Sequence, residues 1–174
     1  MSTDAVAVDE TAVATFAETA AETATVHRPT AADAGDRLAD LVTEPAVGVP
    51  LGVDGVAPED AGVETAPSPA ALESATTGVT PAGVGVADYG TVTLPSVDLA
   101  ELVALYCPRH VVVLPASDVV PDMPTAYERL GEEFAAGRDT QILATGPSAT
   151  ADMGELIQGV HGPTEVHVVV VTDR

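Results

Sequence analysis

The segment ATGPSATADM, residues 144–153, brings together hydroxyl, carboxylate and turn-forming residues that can bind a small molecule. It follows an apolar run that predicts a strand. An aspartate with a glutamate three residues later has the spacing of a capping box, which predicts a helix over residues 152–158. The unpaired N–H groups of that helix's first turn would form a pocket for an acceptor group, unless the cap merely closes the loop. The ligand-binding candidates in this segment are Gly146, Pro147, Ser148, Thr150 and Asp152.

A second segment, GVHGPTEVHVVVV at residues 159–171, holds a histidine in a restricted turn. His161 precedes a Gly-Pro pair, and an imidazole there can act as an acid, a base or a hydrogen-bond donor. The alternative is a buried histidine bonded to the backbone. A triad of Ser148, His161 and Asp152 can be written down, but residue types alone do not supply its geometry. His161 is therefore the candidate catalytic residue, and it joins Gly162 among the ligand-binding candidates.

A third segment, TTGVTPAGVGVADYGTV at residues 76–92, contains a polar turn between two predicted strands. Asp88, Gly90 and Thr91 form this turn, which would either line the pocket or simply close a hairpin. The GVGVAD stretch lacks the third glycine of a dinucleotide-binding fingerprint. A Walker phosphate loop is excluded because the chain has no lysine.

The side chains that could bind a metal are too few or too scattered to predict a metal centre. The four histidines are dispersed, and neither His-x-x-His nor Glu-x-x-His spacing occurs. The lone Cys107 excludes an internal disulfide, and it excludes an iron–sulfur cluster held by this chain alone because such clusters need several thiolates. We expect Cys107 to fill space in the core, and we expect no cofactor to be bound by this chain alone.

The elements that must position these segments alternate between helices and apolar strands. Hydrophobic periodicity predicts helices at residues 5–22, 31–42, 68–75, 125–136 and 152–158. It predicts strands at 24–27, 46–49, 84–87, 91–94, 110–114, 141–145 and 166–171. Residues 50–70, rich in glycine, proline and acids, are expected to form a long connection. Strands that are apolar on both faces predict an α/β fold with a mostly parallel sheet and helices on both faces.

Composition indicates a single domain, residues 1–174, in a solvent of high ionic strength. There are 27 acidic residues and six arginines, which give a net charge of -21, yet 46% of residues are hydrophobic. Such a chain is not a disordered acidic tail. Its self-repulsion in dilute buffer needs screening, and at ~1 M salt the Debye length is only about 3 Å. An ordinary acidic protein is the alternative, although the complete lack of lysine argues against it.

The same composition excludes several classes of partner. Nucleic-acid binding needs clustered basic residues, whereas the six arginines here are scattered. A membrane span needs about 18 or more apolar residues in succession, and no such stretch occurs. The start MSTDAVAVDE has neither the basic nor the apolar region of a secretory signal. We therefore expect a cytoplasmic protein.

In order and spacing, the three segments resemble the lactate-utilisation (LUD) domain family in its LutC/YkgG-like branch, and the composition suggests a haloarchaeal-type member. The family shows a glycine-threonine turn, a Gly-Pro-Ser loop followed by Thr-Ala-Asp, and a Gly-Val-His-Gly-Pro segment before the last strand. The resemblance covers residues 72–171. The family usually has an arginine where this chain has Ala149, and often a glutamate where it has Gly154. If those side chains contact a ligand in relatives, the ligand here can differ.

The resemblance implies a fold similar to the sugar-phosphate isomerase and CoA-transferase-like group (NagB/RpiA/CoA transferase-like). It also implies a role in oxidation of L-lactate to pyruvate, as the non-cluster subunit beside iron–sulfur partner proteins. Fold analogy points to a small anionic ligand but does not give the reaction. The alternatives are a stand-alone enzyme or a ligand-sensing domain for a small carboxylate or sugar phosphate. A homo-oligomer is compatible with each, and whether the chain is itself an enzyme stays open.

We expect the site where residues 146–152 meet residues 161–163, with the turn at 88–91 nearby. Ligands of open parallel sheets bind beyond the carboxyl ends of the strands, and the Gly-Pro-Ser loop follows a strand. His161 instead precedes the final strand. For it to reach the same pocket, the predicted helix at 152–158 must cross the sheet edge, or the last strand must be antiparallel.

The charge generates a prediction about salt. The protein should lose cooperative unfolding when salt is dialysed to ~0.1 M, where the Debye length lengthens to about 10 Å and the carboxylates repel one another. Melting followed by circular dichroism at several salt concentrations would test this. A melting temperature that stays constant from dilute buffer to molar salt would contradict it.

Overall fold

The computed structural model describes residues 8–96, 99–138, 140–152 and 155–174. Its helices, numbered in chain order, are α1 (Glu10–Ala20), α2 (Ala31–Leu41), α3 (Pro69–Ser74), α4 (Ala100–Tyr106) and α5 (Met123–Ala135). Its strands are β1 (Thr25–His27), β2 (Ala46–Gly48), β3 (Thr77–Pro81), β4 (Gly85–Val86), β5 (Thr91–Pro95), β6 (Arg109–Pro115), β7 (Val119–Val120), β8 (Gln141–Ala144), β9 (Ala149–Asp152), β10 (Glu155–Gln158) and β11 (Glu165–Val171).

Five strands form the main sheet, in the order β1-β11-β6-β3-β2. Every neighbouring pair in it is parallel. The two central strands, β11 and β6, consist largely of valines, whose β-branched side chains pack well on a pleated surface. Helices pack on both faces, so the predicted α/β fold with a mostly parallel sheet is confirmed.

The two faces of the main sheet carry separate apolar clusters. On one face, Val112 of β6 is buried with Phe16 of α1 and Leu94 of β5. On the opposite face, Val111 is buried with Leu38 of α2 and with apolar side chains from the connection that follows β2. That connection, predicted as a long loop, therefore covers part of a sheet face.

A second sheet of four strands, in the order β7-β4-β5-β8, lies over the face that α1 also covers. In it β5 is antiparallel to both β4 and β8, while β4 and β7 are parallel. Val92 and Leu94 of β5 belong to the same buried cluster as Val112 and Val168 of the main sheet. The sequence predicted three of these strands but gave no sign that they form a separate sheet.

The helix predicted over residues 152–158 is wrong. Residues on either side of positions 153–154, which lie outside the described residues, form the antiparallel hairpin of β9 and β10. Asp152 and Glu155 face each other across this hairpin, so they do not form a capping box. The spacing misled because a capping box is a purely local pattern, whereas Thr150 and Ile157 are β-branched residues that favour strands. Because this helix does not form, the predicted pocket of helix N–H groups for an acceptor group does not form either.

Other elements differ in detail from the predictions. The first part of the helix predicted at 5–22, residues 5–7, lies outside the described residues. Helix α1 begins at Glu10, and the Asp9 side chain before it accepts hydrogen bonds from two backbone N–H groups of the first turn. Strand β3 and helix α4 were not predicted. Strand β3 contains Gly78, where a Cβ would lie 2.6 Å from the Val103 carbonyl oxygen of α4, so glycine is required for this packing. Among the described residues, no helix has both the length and the apolar character needed to cross a membrane.

A histidine is buried on the face of the main sheet that the second sheet covers. His110 of β6 is only 2% exposed, and its Nε2 atom lies 2.8 Å from the hydroxyl of Thr80 on β3. Burial lowers the pKa of His110 to about 4, because a charged imidazole would lose its hydration there. His110 is therefore neutral in the folded protein at physiological pH.

This burial predicts acid sensitivity. The unfolded chain takes up a proton on residue 110 below pH about 6.5, whereas the folded protein resists protonation down to about pH 4. The stabilisation is therefore complete above the unfolded pKa and is lost as the pH falls through this window, by about 3 kcal/mol near pH 4. Urea unfolding at several pH values should show a smaller decrease in the free energy of unfolding for His110→Gln than for wild type. Equal pH dependence in the two proteins would contradict the prediction.

Candidate functional site

A cleft of about 220 Å³ lies between the two sheets. Its floor is formed by four residues of the main sheet, His110, Val112, Val166 and Val168. Its roof comes from the second sheet, through Val92, Leu94, Ile142 and Ala144. Most of these side chains are aliphatic, so the cleft can hold the apolar body of a small ligand.

Two loops meet at the mouth of this cleft. The Ser148 N–H donates to the Pro163 carbonyl at 2.8 Å, and the Gly159 N–H donates to the Ser148 carbonyl at 2.9 Å. A Cβ on Gly162 would lie 3.0 Å from the Ser148 Cβ, so the missing side chain allows the loops to touch. The mouth residues that line the cleft are Gly146, Pro147, Ser148, His161, Gly162 and Pro163.

The hairpin of β9 and β10 explains why these loops are adjacent. Ser148 immediately precedes β9 and Gly159 immediately follows β10, and the register pairs Ala149 with Gln158. An antiparallel hairpin returns the chain to its starting point, so His161 lies near Ser148. Two other routes were expected from the sequence: a helix over residues 152–158 that crosses the sheet edge, or an antiparallel last strand. Neither occurs, because residues 155–158 form a strand and β11 is parallel to its neighbours.

The cleft does not lie where the topological rule placed it. Gly146 follows β8, which belongs to the second sheet, and not a strand of the parallel main sheet. The floor residues His110 and Val166 lie next to each other near the amino ends of β6 and β11. The cleft therefore opens between two sheets, and not beyond the carboxyl ends of the parallel sheet where the site is expected from the sequence.

Ser148 and His161 supply polar side chains at the mouth. Ser148 is half-buried and His161 is exposed. Among the hydrogen bonds of the described residues, none involves the Ser148 hydroxyl or the His161 ring, so the structure does not assemble the triad that can be written from the sequence. Its third member, the Asp152 side chain, lies outside what the structure describes. Both mouth groups can bond to a ligand.

Two glycines predicted to bind ligand have a packing role. Gly90 and Gly146 have positive φ angles of 60° and 65°, which glycine adopts without strain. A Cβ on Gly90 would collide with the backbone of Ala20 at the end of α1, and one on Gly146 would collide with the Thr23 side chain. Both glycines line the cleft, and their lack of a side chain allows the cleft wall to pack closely against the end of α1 and the residues that follow it.

Four predicted site residues lie outside the cleft lining. Thr150 and Asp152 are on strand β9, and Asp88 is exposed on the turn between β4 and β5. Thr91 is buried, and its hydroxyl lies 2.5 Å from that of Thr145, a residue that does line the cleft. Thr91 therefore contacts the cleft only indirectly, through its hydrogen bond to Thr145.

His110 was not among the predicted site residues. It is the first residue of the strand predicted at 110–114, and in the structure it is the polar side chain of the cleft floor. The sequence contained one signal for this residue: a histidine stands at the start of an otherwise apolar strand, where a polar side chain is unusual. Among the residues that the structure describes, the lining contains no arginine, and the chain has no lysine, so no permanently positive side chain lies in the described lining.

Neither a metal centre nor a reactive thiol emerges from the described residues. Within them, no group of three or more histidine, cysteine or acidic side chains is arranged to hold a metal ion. Cys107 is fully buried beside α4, and burial raises the pKa of its thiol to about 11. A thiol in that environment is inert at neutral pH.

Comparison with known proteins places the chain among named relatives. Residues 68–171 match the model of the LUD domain. Lactate utilization protein C of Bacillus subtilis (strain 168) is 34% identical over 107 residues, which cover 59% of this chain and 45% of that protein. The same-named protein of Bacillus licheniformis is 36% identical over 107 residues, with the same two coverages. The matched region thus spans less than half the length of these relatives.

A solved structure shares the fold. The crystal structure of a DUF162 family protein from Deinococcus radiodurans superposes with a TM-score of 0.70 over 92% of this chain and 96% of that chain. The two sequences are 20% identical, so this likeness bears on the fold alone. The family model, by contrast, matches residues 68–171, which is more than half of the sequence. The chain therefore belongs to the LUD domain family.

Proposed function

We propose that this chain is a LutC-like component of an L-lactate utilisation system and that its cleft binds a small carboxylate such as lactate or pyruvate. The observation that carries the proposal is the division of the cleft into an aliphatic interior and a polar mouth. A short 2-hydroxy or 2-oxo acid has the same division between a methyl group and a carboxylate. The names of the relatives point to lactate metabolism.

The mouth would hold the carboxylate through hydrogen bonds. The Ser148 hydroxyl and the His161 imidazole both lie at the rim and can donate to a carboxylate oxygen. Water at this rim keeps the anion partly hydrated, which is required because the lining has no arginine. The carboxylate would therefore stay at the mouth while the apolar end of the ligand enters between the sheets.

The proposed chemistry requires partners. Oxidation of lactate to pyruvate removes two electrons and needs an acceptor such as a flavin, a nicotinamide or a metal relay. With its single buried cysteine, this chain would act as the non-cluster subunit beside iron–sulfur proteins. We further propose that residues 1–174 act as one LUD-type domain in a salt-rich cytoplasm of the haloarchaeal type, alone or as a homo-oligomer.

The proposal predicts that mouth variants lose ligand. Ser148→Ala and His161→Ala should each weaken lactate or pyruvate binding by about tenfold, the effect of losing one hydrogen bond to a charged group. Titration calorimetry in molar salt would measure the dissociation constants. Ser74→Ala is a matched control, because the Ser74 hydroxyl bonds to backbone carbonyls of its own helix, α3. Unchanged affinity in both mouth variants would contradict the proposal that the mouth residues bind the carboxylate.

The isolated chain should not oxidise lactate. Pure, cofactor-free protein mixed with lactate and a redox dye should leave the dye unreduced, since no electron acceptor belongs to the chain. Addition of co-purifying iron–sulfur proteins from the same cells should restore dye reduction. Lactate-dependent reduction by the chain alone would instead favour the stand-alone enzyme.

A further inference from the structure

The floor of the cleft contains a polar group that the proposed carboxylate contacts do not use. His110 lies on β6 beside three valines of the floor, Val112, Val166 and Val168. It is 2% exposed, and its neighbours in the cleft are almost all aliphatic. A buried polar side chain in such surroundings is costly unless it finds hydrogen-bond partners.

The Thr80 hydroxyl provides one partner for His110, and this partner can reverse its role. Thr80 Oγ1 lies 2.8 Å from His110 Nε2, and Thr80 is fully buried. Among the described residues, Thr80 Oγ1 forms no other hydrogen bond. A hydroxyl can donate to an unprotonated Nε2 or accept from a protonated one, so either neutral tautomer of the ring is satisfied at this end.

The second ring nitrogen of His110 can therefore be a donor or an acceptor without any change of charge. When the Thr80 hydroxyl donates to Nε2, the proton of the neutral ring lies on Nδ1, which can donate to a ligand. When Nε2 donates to Thr80, Nδ1 accepts. The low pKa of His110 keeps the ring uncharged in both cases. Such a group can bond to an uncharged oxygen, whereas a carboxylate would lose its hydration among the aliphatic side chains of the floor.

We infer that His110 is the specificity-determining residue of the cleft, and that it recognises an uncharged hydroxyl or carbonyl oxygen next to the apolar end of the ligand. The inference rests on the proposed function in taking the ligand to be a short 2-hydroxy or 2-oxo acid. The Thr80–His110 pair can serve both members of such a couple: the ring donates to a carbonyl, and it donates to or accepts from a hydroxyl. Propionate, which lacks that oxygen, would leave the ring without a ligand partner.

A thermodynamic cycle between ligand and protein tests this assignment. Dissociation constants for lactate, pyruvate and propionate are measured with wild type and with the double variant Thr80→Val/His110→Leu. Replacing both partners with apolar residues avoids leaving a buried hydroxyl unpaired. Wild type should prefer lactate and pyruvate over propionate by about 3- to 10-fold, the effect of one hydrogen bond. The double variant should lose this preference. Thr80→Val alone, which keeps the imidazole, should retain a preference.

A second set of probes separates this inference from the proposed function. Propane-1,2-diol and hydroxyacetone resemble lactate and pyruvate but carry no charge, and 1-propanol lacks the central oxygen. Binding is followed through side-chain signals of isotope-labelled histidine. If these neutral probes show discrimination that depends on His110 while the carboxylates do not bind, the proposed function fails and the inference stands. If the double variant discriminates as wild type does, or if no probe pair is discriminated in wild type, the assignment of His110 is overturned.

Discussion

The pairing of β11 with β6 is the interaction on which the rest of the structure depends. Seven residue pairs join the two strands in parallel register, from Glu165 with Arg109 to Val171 with Pro115. Alternate residues of both strands are buried on opposite faces, so a slip of one residue would move each side chain of the slipped strand into the cluster on the other face. The same pairing sets His110 beside Val166 and thereby forms the floor of the cleft.

A polar network surrounds the amino end of this pair. The Arg109 guanidinium donates to Glu165 at 2.8 Å and also to the Leu41 carbonyl, which ties the strand pair to the end of α2. The other Glu165 oxygen lies 2.9 Å from His167 Nε2, and the His167 ring stacks on His27 of β1. The ion pair is partly exposed and contributes at most about 1 kcal/mol. Arg109 and Glu165 are directly paired between the two strands, so the ion pair favours this register over a shifted one.

The sequence predicted the fold class because its strongest signals are local. Consecutive valines in β6 and β11 indicate strands buried on both faces, and the spacing in α2 and α5 indicates amphipathic helices. The second sheet could not be predicted, because the pairing of β5 with β8 joins residues about fifty positions apart and leaves no local pattern. Strand β3 was missed because Gly78 and Pro81 favour loops, although Gly78 is required by contact with α4. For the site, the sequence indicated that the loops at Ser148 and His161 belong together, but it proposed the wrong connection between them. His110 was missed because a single inward histidine looks like a core residue until the roof above it is known.

The position of β11 within the sheet has a consequence for how the protein is made. Although β11 follows all other strands in the sequence, it lies between β1 and β6, so β1 has no neighbour in the sheet until β11 arrives. A chain emerging from the ribosome presents its amino-terminal segments first. Strand β1 must therefore wait without its neighbour in the main sheet while more than a hundred further residues are synthesised. The carboxyl-terminal strand therefore completes the sheet, and the edge of β6 with which it pairs stays uncovered until the last residues of the chain are made.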